Sequence, residues 1–292
     1  MEPRAAPAAC DLSRVVETRT AAQVLEHYLI ERELAERLRR APRAERPRLY
    51  REVYDELFRR VPHHPQLRAA QEPEQAGRRR RSVEQQLRFL RRYLAPGKTF
   101  MEIGAGDCAL ALRAAAFASR VYALDVSDQI TRGARRPPNF ELLLTEGARV
   151  PVAPGVVDVA LSNQLMEHLH PEDADEQLRG IHRSLAPGGT YLCITPNRLY
   201  GPRDVSAHFD AVATGLHLRE YAAHELRRLL LEAGFSEVRF YAGGGGRFVR
   251  CPYAAVALFE ALLERLPQRL RKRLADNPPA RALLGLRVAA TK

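Results

Sequence analysis

The sequence has little lysine: of its 46 basic residues only Lys98, Lys272 and Lys292 are lysines, and the other 43 are arginines. Cysteine is scarce too. Cys10, Cys108, Cys193 and Cys251 lie far apart, which excludes the paired spacing of a zinc or dithiol site. Long apolar runs are absent, and no stretch approaches the roughly 18 to 20 residues that a membrane-spanning helix requires. Residues 1–14 carry Pro, Arg and Asp with no apolar core. No secretory signal is therefore expected there, and a cytoplasmic location is the default.

What is present fits a globular chain. The 292 residues are 46% apolar and 28% charged, enough for one large domain with additions or for two modest ones. Basic residues outnumber the 35 acidic ones, for a net charge of +11. That balance fits a polyanionic partner or a genome rich in Arg and Ala codons; the scarcity of lysine favours the second. Residues 1–15 read as a loose tail. Over 21–58, apolar residues recur at helical spacing (Val24, Tyr28, Leu34, Leu38, then Leu49, Val53, Leu57), and a proline-containing break at 42–47 divides them into two helices. A breaker region at 61–65 and an arginine run at 78–81 precede a further helix through Leu87, Leu90 and Leu94.

From Ala95-Pro96-Gly97 onward the pattern changes. Short apolar segments at 99–103, 121–125, 140–145, 157–162 and 190–195 alternate with helical ones at 110–118 and 174–185, which specifies a parallel α/β sheet. A helix over 224–233 and a strand over 235–241 follow. The glycines at 243–246 read as a turn between strand and helix, then come an amphipathic helix pair over 253–275 and a last strand over 286–291. The expected domains are a helical lid at 1–95, a sheet domain at 96–242, and C-terminal helices with the final strand at 243–292.

The strongest motif is Glu102-Ile103-Gly104-Ala105-Gly106-Asp107-Cys108-Ala109, where a buried strand turns into a helix. Glycines there let the backbone approach a ligand, and the helix N-terminus adds free N–H donors. The motif by itself also satisfies the dinucleotide fingerprint, with Asp125 twenty-one residues after Gly104, as NAD binding would require. Its surroundings point elsewhere. Glu102 suits a cationic amino-acid moiety and would repel a pyrophosphate. Asp125 ends the second strand, where a carboxylate can accept from both hydroxyls of a ribose. Glu146 and Gly147 follow the third strand, the fourth ends at Asn163 and runs into Glu167-His168, and Pro187-Gly188-Gly189 leads into the fifth.

This ordered set resembles the class I S-adenosylmethionine-dependent methyltransferases, closest to the small-molecule branch typified by quinone-biosynthesis enzymes, over about residues 96–242. The resemblance implies a Rossmann-like, seven-stranded, mostly parallel sheet with an antiparallel last strand, preceded by an N-terminal helical segment. It implies S-adenosyl-L-methionine as cofactor, with Glu102, Gly104, Ala105, Gly106, Asp125, Val126, Glu146, Gly147, Asn163 and His168 around it. Two positions depart from the family pattern: Cys108 stands for the usual third glycine and Glu146 for the usual Asp by the adenine.

Methyl transfer is an in-line displacement at a sulfonium carbon, so the protein aligns the acceptor and, for a hydroxyl, removes a proton. The long segment after strand five carries the candidates. His208 is the leading general base and His217 the second; the alternative for each is bracing or capping the loop. Tyr200, Arg203, Asp210 and Tyr221 are candidate substrate contacts, with Arg198 and Arg203 suited to an anionic group. On the helical segment Tyr50, Tyr54, Phe58, His63 and His64 could face the substrate. No metal is expected, since His63-His64 has no partner at ligand spacing and His208 with Asp204 and Asp210 is a weak pattern. The expected activity is methyl transfer to a small molecule. The alternatives are methylation of RNA through the basic surface, disfavoured at a base because Ser162-Asn163-Gln164-Leu165 lacks a stacking aromatic, and an NAD-binding oxidoreductase.

Overall fold

The computed structural model describes residues 19–71, 73–128 and 135–292; the expected tail, Cys10 included, lies outside the described residues. Helix α1 (Ala21–Arg40) begins at Thr20, whose side chain accepts from the Gln23 N–H while Gln23 returns a bond to the Thr20 N–H, a capping box. Its buried stripe is Val24, Tyr28, Leu34 and Leu38. Helix α2 (Arg46–Arg60) carries proline in its first turn and buries Tyr50, Val53 and Leu57. Helices α3 (Pro65–Gln71) and α4 (Pro73–Leu90) complete the N-terminal segment.

Eight strands form one sheet: β1 (Thr99–Ile103), β2 (Arg120–Asp125), β3 (Phe140–Leu144), β4 (Val157–Asn163), β5 (Leu185–Thr195), β6 (Glu237–Gly244), β7 (Arg247–Cys251) and β8 (Leu286–Thr291). Their order is β3-β2-β1-β4-β5-β8-β6-β7. Strands β1 to β5 pair in parallel, and β8 runs antiparallel to both β5 and β6. The chain winds outward from β1 to β3 and then returns to β4, so the strand order reverses between β1 and β4. Ligands of open α/β sheets bind at the carboxyl ends of strands at such a switch point.

Helices α5 (Ala109–Ala114), α6 (Pro171–Ser184), α7 (Ala223–Glu232), α8 (Tyr253–Glu264), α9 (Gln268–Ala275) and α10 (Pro278–Leu284) supply the remaining cover. The expectation of seven strands and a strand-to-helix turn at 243–246 is corrected here. Those glycines close a hairpin between β6 and the extra antiparallel strand β7. Gly243, at φ +137°, approaches the Arg247 carbonyl so closely that a Cβ would collide with it. The expected helix pair over 253–275 is α8 and α9, divided at Pro267, and a further short helix, α10, starts at Asn277-Pro278.

The N-terminal helices share the core of the sheet. Leu34, Leu38, Val53 and Leu57 belong to the same buried cluster as Met101, Ile103 and Leu124. A buried ion pair fixes their angle: Arg46, only 3% exposed, donates to both oxygens of Asp173 on α6, and the Tyr50 hydroxyl donates to Asp173 and accepts from the His170 N–H. Among the described residues, no helix is long and apolar enough to cross a membrane.

Candidate active site at the sheet switch point

The turn after β1 depends on two left-handed glycines. At Gly104 (φ +67°) a Cβ would fall 2.9 Å from Leu165 Cδ1, whereas Gly106 (φ +53°) has open space where its Cβ would stand, leaving its backbone bare. Cys108, at the family's third glycine, also adopts positive φ, +55°, as the N-cap of α5, a conformation that costs an L-residue about 1–2 kcal/mol. Asp125, at the end of β2, accepts from the Gly106 N–H at 2.7 Å and from the Ser127 N–H at 3.1 Å. Burial raises its pKa, against the pull of those N–H groups.

These residues floor a cavity whose sheet side is Ile103, Gly104, Gly106, Leu124 to Ser127, Thr145, Gly147, Gln164, Leu165 and His168; its opposite wall comes from α1, α2 and the turn after them, through Glu31, Tyr50, Tyr54, Leu57, Phe58 and His64. At Gly147 (φ +57°), in the turn after β3, α2 packs so closely that a Cβ would press on Pro47 and Tyr50. A second cavity adjoins the first across Gly104 and Gly106 and is lined by Glu102, Ala105, Asp107, Asn163, Arg78 and Arg79. The Glu102 carboxylate accepts from the Ala111 N–H at 2.8 Å. Burial pushes its pKa up to about 8, with the Asp107 and Asp125 carboxylates adding to the shift.

Of the ten expected cofactor contacts, the structure gathers Gly104, Gly106, Asp125, Val126, Gly147 and His168 on the main cavity and Glu102, Ala105 and Asn163 on the adjoining one. Glu146 is exposed and lines a separate small cavity with Arg43 and Arg149. From the helical segment Tyr50, Tyr54, Phe58 and His64 reach the main cavity; His63 turns away to the Gln23 carbonyl at 2.9 Å. The loop candidates after β5 sit elsewhere. His208 ends a single turn, Val205–His208, and lines neither cavity. Tyr200 is buried with Leu263, Ala275 and Leu284, and Arg203 sits over its ring. Asp210 accepts from the Tyr28 hydroxyl at 2.8 Å, and Tyr221 is fully buried. His217 borders a third cavity, lined also by Arg198, Arg219, Glu220, Arg271 and Lys272.

An array of buried polar groups separates the main and third cavities. His168 Nδ1 lies 3.0 Å from the Leu216 carbonyl, and its ring meets that of His217 edge-on. Burial first, then the neighbouring His217, pulls its pKa down to about 3, so the ring is neutral. The Glu31 carboxylate is pushed up to about 8, by burial and next by Asp204. Glu167 is fully buried and accepts from Thr195 Oγ1 at 2.8 Å. Glu31 and Glu167 were missed in the sequence because each sits in a helical segment where a carboxylate reads as a solvated face.

Comparison with known proteins accords with this geometry. The sequence matches the family described as a methyltransferase domain over residues 101–193. A probable S-adenosylmethionine-dependent methyltransferase of Mycolicibacterium smegmatis is 34% identical over 140 residues, 48% of this chain and 52% of that one. A second, from Mycobacterium tuberculosis strain H37Rv, is 32% identical over 149 residues, covering 50% and 52%. The chain thus spans about half the length of the curated relatives it matches. In fold it is similar to the methyltransferase solved in complex with the Haloferax volcanii Trm112 methyltransferase activator, with a TM-score of 0.52 at 20% identity over 76% of this chain and 95% of that one. Residues 101–193, on the carboxyl side of whose strands the glycine turn lies, thus match a methyltransferase domain.

Proposed function

We propose that this protein transfers the methyl group of S-adenosylmethionine to a hydroxyl of a small, ring-bearing acceptor, as in the quinone-biosynthesis-like branch. The observation that carries the reading is the main cavity, which has the glycine loop and Asp125 on one wall and the aromatic lid on the other. The residues present fit the cofactor. Gly106 offers bare backbone, Asp125 a carboxylate for hydroxyls, Leu124, Val126 and Leu165 apolar walls, and Glu102 with Asn163 a polar end across the same glycines. When bound, the cofactor supplies an activated methyl group on a sulfonium.

The chain's own work is alignment and proton removal. Tyr50, Tyr54 and Phe58 offer ring faces to the acceptor. Glu31 in its ionised form is the proton acceptor in this reading, so turnover rises with pH toward about 8; it lines the main cavity and His208 does not, and one of its oxygens, Oε2, is buried without a hydrogen-bond partner. His217 keeps a positioning role against His168. Incubation with label on the cofactor methyl and a cell extract tests the proposal: label is expected in a small molecule, and label found only in RNA overturns the acceptor class. Glu31→Gln is expected to lower turnover by about 10²–10⁴-fold and to leave S-adenosylhomocysteine binding unchanged; undiminished turnover removes Glu31 from the role.

One observation supports an anionic acceptor, whether a free small molecule or RNA. Arg198, Arg219, Arg271 and Lys272 converge on the third cavity. Arg198 and Arg219 are held by Glu225, and Arg198 also by Glu264, which leaves Arg271 and Lys272 on α9 to meet a negative group there.

A further inference from the structure

Three side chains from two segments converge on the wall between the main and third cavities. Glu167 and His168 lie in the single turn Met166–His168 after β4, and His217 lies in the loop before α7. One ligand atom of each lies within 4.8 Å of the other two. Each side chain has one polar atom already engaged. His168 Nδ1 faces the Leu216 carbonyl at 3.0 Å, His217 Nδ1 faces Glu220 Oε1 at 2.8 Å, and Glu167 Oε2 accepts from Thr195 Oγ1 at 2.8 Å. A carbonyl can only accept, so His168 carries its hydrogen on Nδ1 and presents the lone pair of Nε2. Against the Glu220 carboxylate, His217 takes the same tautomer when neutral.

What remains is Glu167 Oε1, fully buried and without a hydrogen-bond partner. An orphaned carboxylate oxygen in a dry site is costly. No hydrogen bond or ion pair within 4.0 Å joins it to either histidine among the described residues. Groups too far apart to bond one another, each braced from behind, suit a cation held between them. Ring nitrogens fixed by a carbonyl or a carboxylate are also the usual outer shell of metal-bound histidine.

We propose that Glu167, His168 and His217 bind one divalent transition-metal ion. Two imidazoles and a carboxylate select zinc, manganese, iron(II) or cobalt over calcium or magnesium. A second group with the same donor types, His27, Glu31 and His64, is a weaker candidate. The Arg19 guanidinium faces His27 Nδ1 at 2.6 Å; it can only donate, so the ring hydrogen sits on Nε2 and blocks that atom as a ligand.

The consequence for chemistry rests on the methyl-transfer reading above. Through His168 the ion borders the main cavity, where it would withdraw charge from an acceptor hydroxyl and ease its ionisation. The hydroxyl proton passes to Glu31 and the oxygen forms a bond to the methyl carbon. The sulfur–methyl bond breaks with its electron pair left on sulfur, giving S-adenosylhomocysteine.

The test uses the full chain, dialysed against a chelator and titrated with Co²⁺ and Zn²⁺ without cofactor or acceptor. One equivalent is expected to bind, with the visible absorption of protein-bound Co²⁺. His168→Gln and His217→Gln should each weaken binding by at least about tenfold, and Glu220→Gln by about tenfold, whereas His27→Gln leaves it unchanged. Absence of stoichiometric binding overturns the proposal, as does affinity unchanged in both ligand variants or lost in His27→Gln. Should the ligand variants fail to fold, the wild-type melting temperature decides. It is expected to rise with saturating ion, and a melting temperature unmoved by zinc, manganese and cobalt alike overturns the site. Titration with S-adenosylhomocysteine runs in parallel: ion binding without it sinks the methyl-transfer reading, and the converse sinks the metal site alone.

Discussion

Glu102 has an ordinary residue type in an unusual place. It ends β1 behind the glycine loop, with a carboxylate pushed to about 8 by burial and by the Asp107 and Asp125 charges. In the ligand-free protein it therefore holds a proton that the unfolded chain would release above its ordinary value of 4.5. The folded state binds more protons between these two values, so this group's contribution to stability falls as pH rises through that window and levels off above about 8. The difference is on the order of a few kcal/mol. Chemical denaturation at pH 5 and pH 8 should show the fall in wild type and a smaller one in Glu102→Gln, the remainder coming from Glu31 and Glu167, which burial raises in the same direction. A cationic group bound in the adjoining cavity would favour the charged carboxylate, so S-adenosylmethionine binding at pH 7 is expected to release a proton. Calorimetry in buffers of different ionisation enthalpy reads that proton, and equal release by wild type and Glu102→Gln would assign it elsewhere.

At the scale of elements, what matters is how α1 and α2 are held over the cavity. Helix α2 is tied to α6 by the Arg46–Asp173 pair and the Tyr50 hydroxyl. Helix α1 is tied to the loop after β5, where the Arg39 guanidinium donates to the carbonyls of Thr214, Gly215 and His217. Removing one member of a buried pair leaves the other charge uncompensated, at a cost of about 3–5 kcal/mol. Glu172, which also accepts from Arg46, puts Asp173→Ala at the lower end of that range. The expected result is a loss of about 3 kcal/mol in equilibrium unfolding and faster amide exchange over α2. Exchange unchanged over 46–60 would show that apolar packing alone seats the helix. The loop after β5 is dense in His, Asp, Arg and Tyr, which reads as a site in sequence, yet most of those side chains brace this attachment. Tyr28 stacks on Phe209 and donates to Asp210, and Asp204 caps the turn at Ser206.

At the scale of the whole molecule the +11 charge acquires a location. Many arginines are spent in ion pairs with neighbouring acids, such as Arg37–Glu56, Arg60–Glu33 and Arg120–Glu141, and exposed pairs of this kind add little stability. Four basic side chains line the cavity at His217, against two, Arg78 and Arg79, in the one beside the glycine loop. If the acceptor is anionic, Arg271→Glu combined with Lys272→Glu should raise its KM on the order of tenfold at low salt, less at high salt because exposed charges are screened. S-adenosylhomocysteine binding should not change. A KM indifferent to both substitution and salt would leave the positive balance to codon usage.

The sequence by itself determined the parallel sheet, because buried strands alternating with amphipathic helices have few other ways to hide their apolar faces. It also determined the turn after β1, because left-handed Gly104 and Gly106 and the bond from the Gly106 N–H to Asp125 rest on local backbone geometry, and a local pattern carries that. The tertiary structure alone decided what faces the main cavity. Glu31 reaches it from the N-terminal segment, 136 residues before Glu167 in the chain. His217 meets His168 across a loop, while His208, nine residues earlier, lines neither of the cavities on the glycine loop. Such convergence depends on crossover connections and on the angle at which α1 and α2 cross the sheet. No periodicity along the chain encodes that angle, which is set by packing against Leu124 and Met101 and by the buried pair of Arg46 with Asp173.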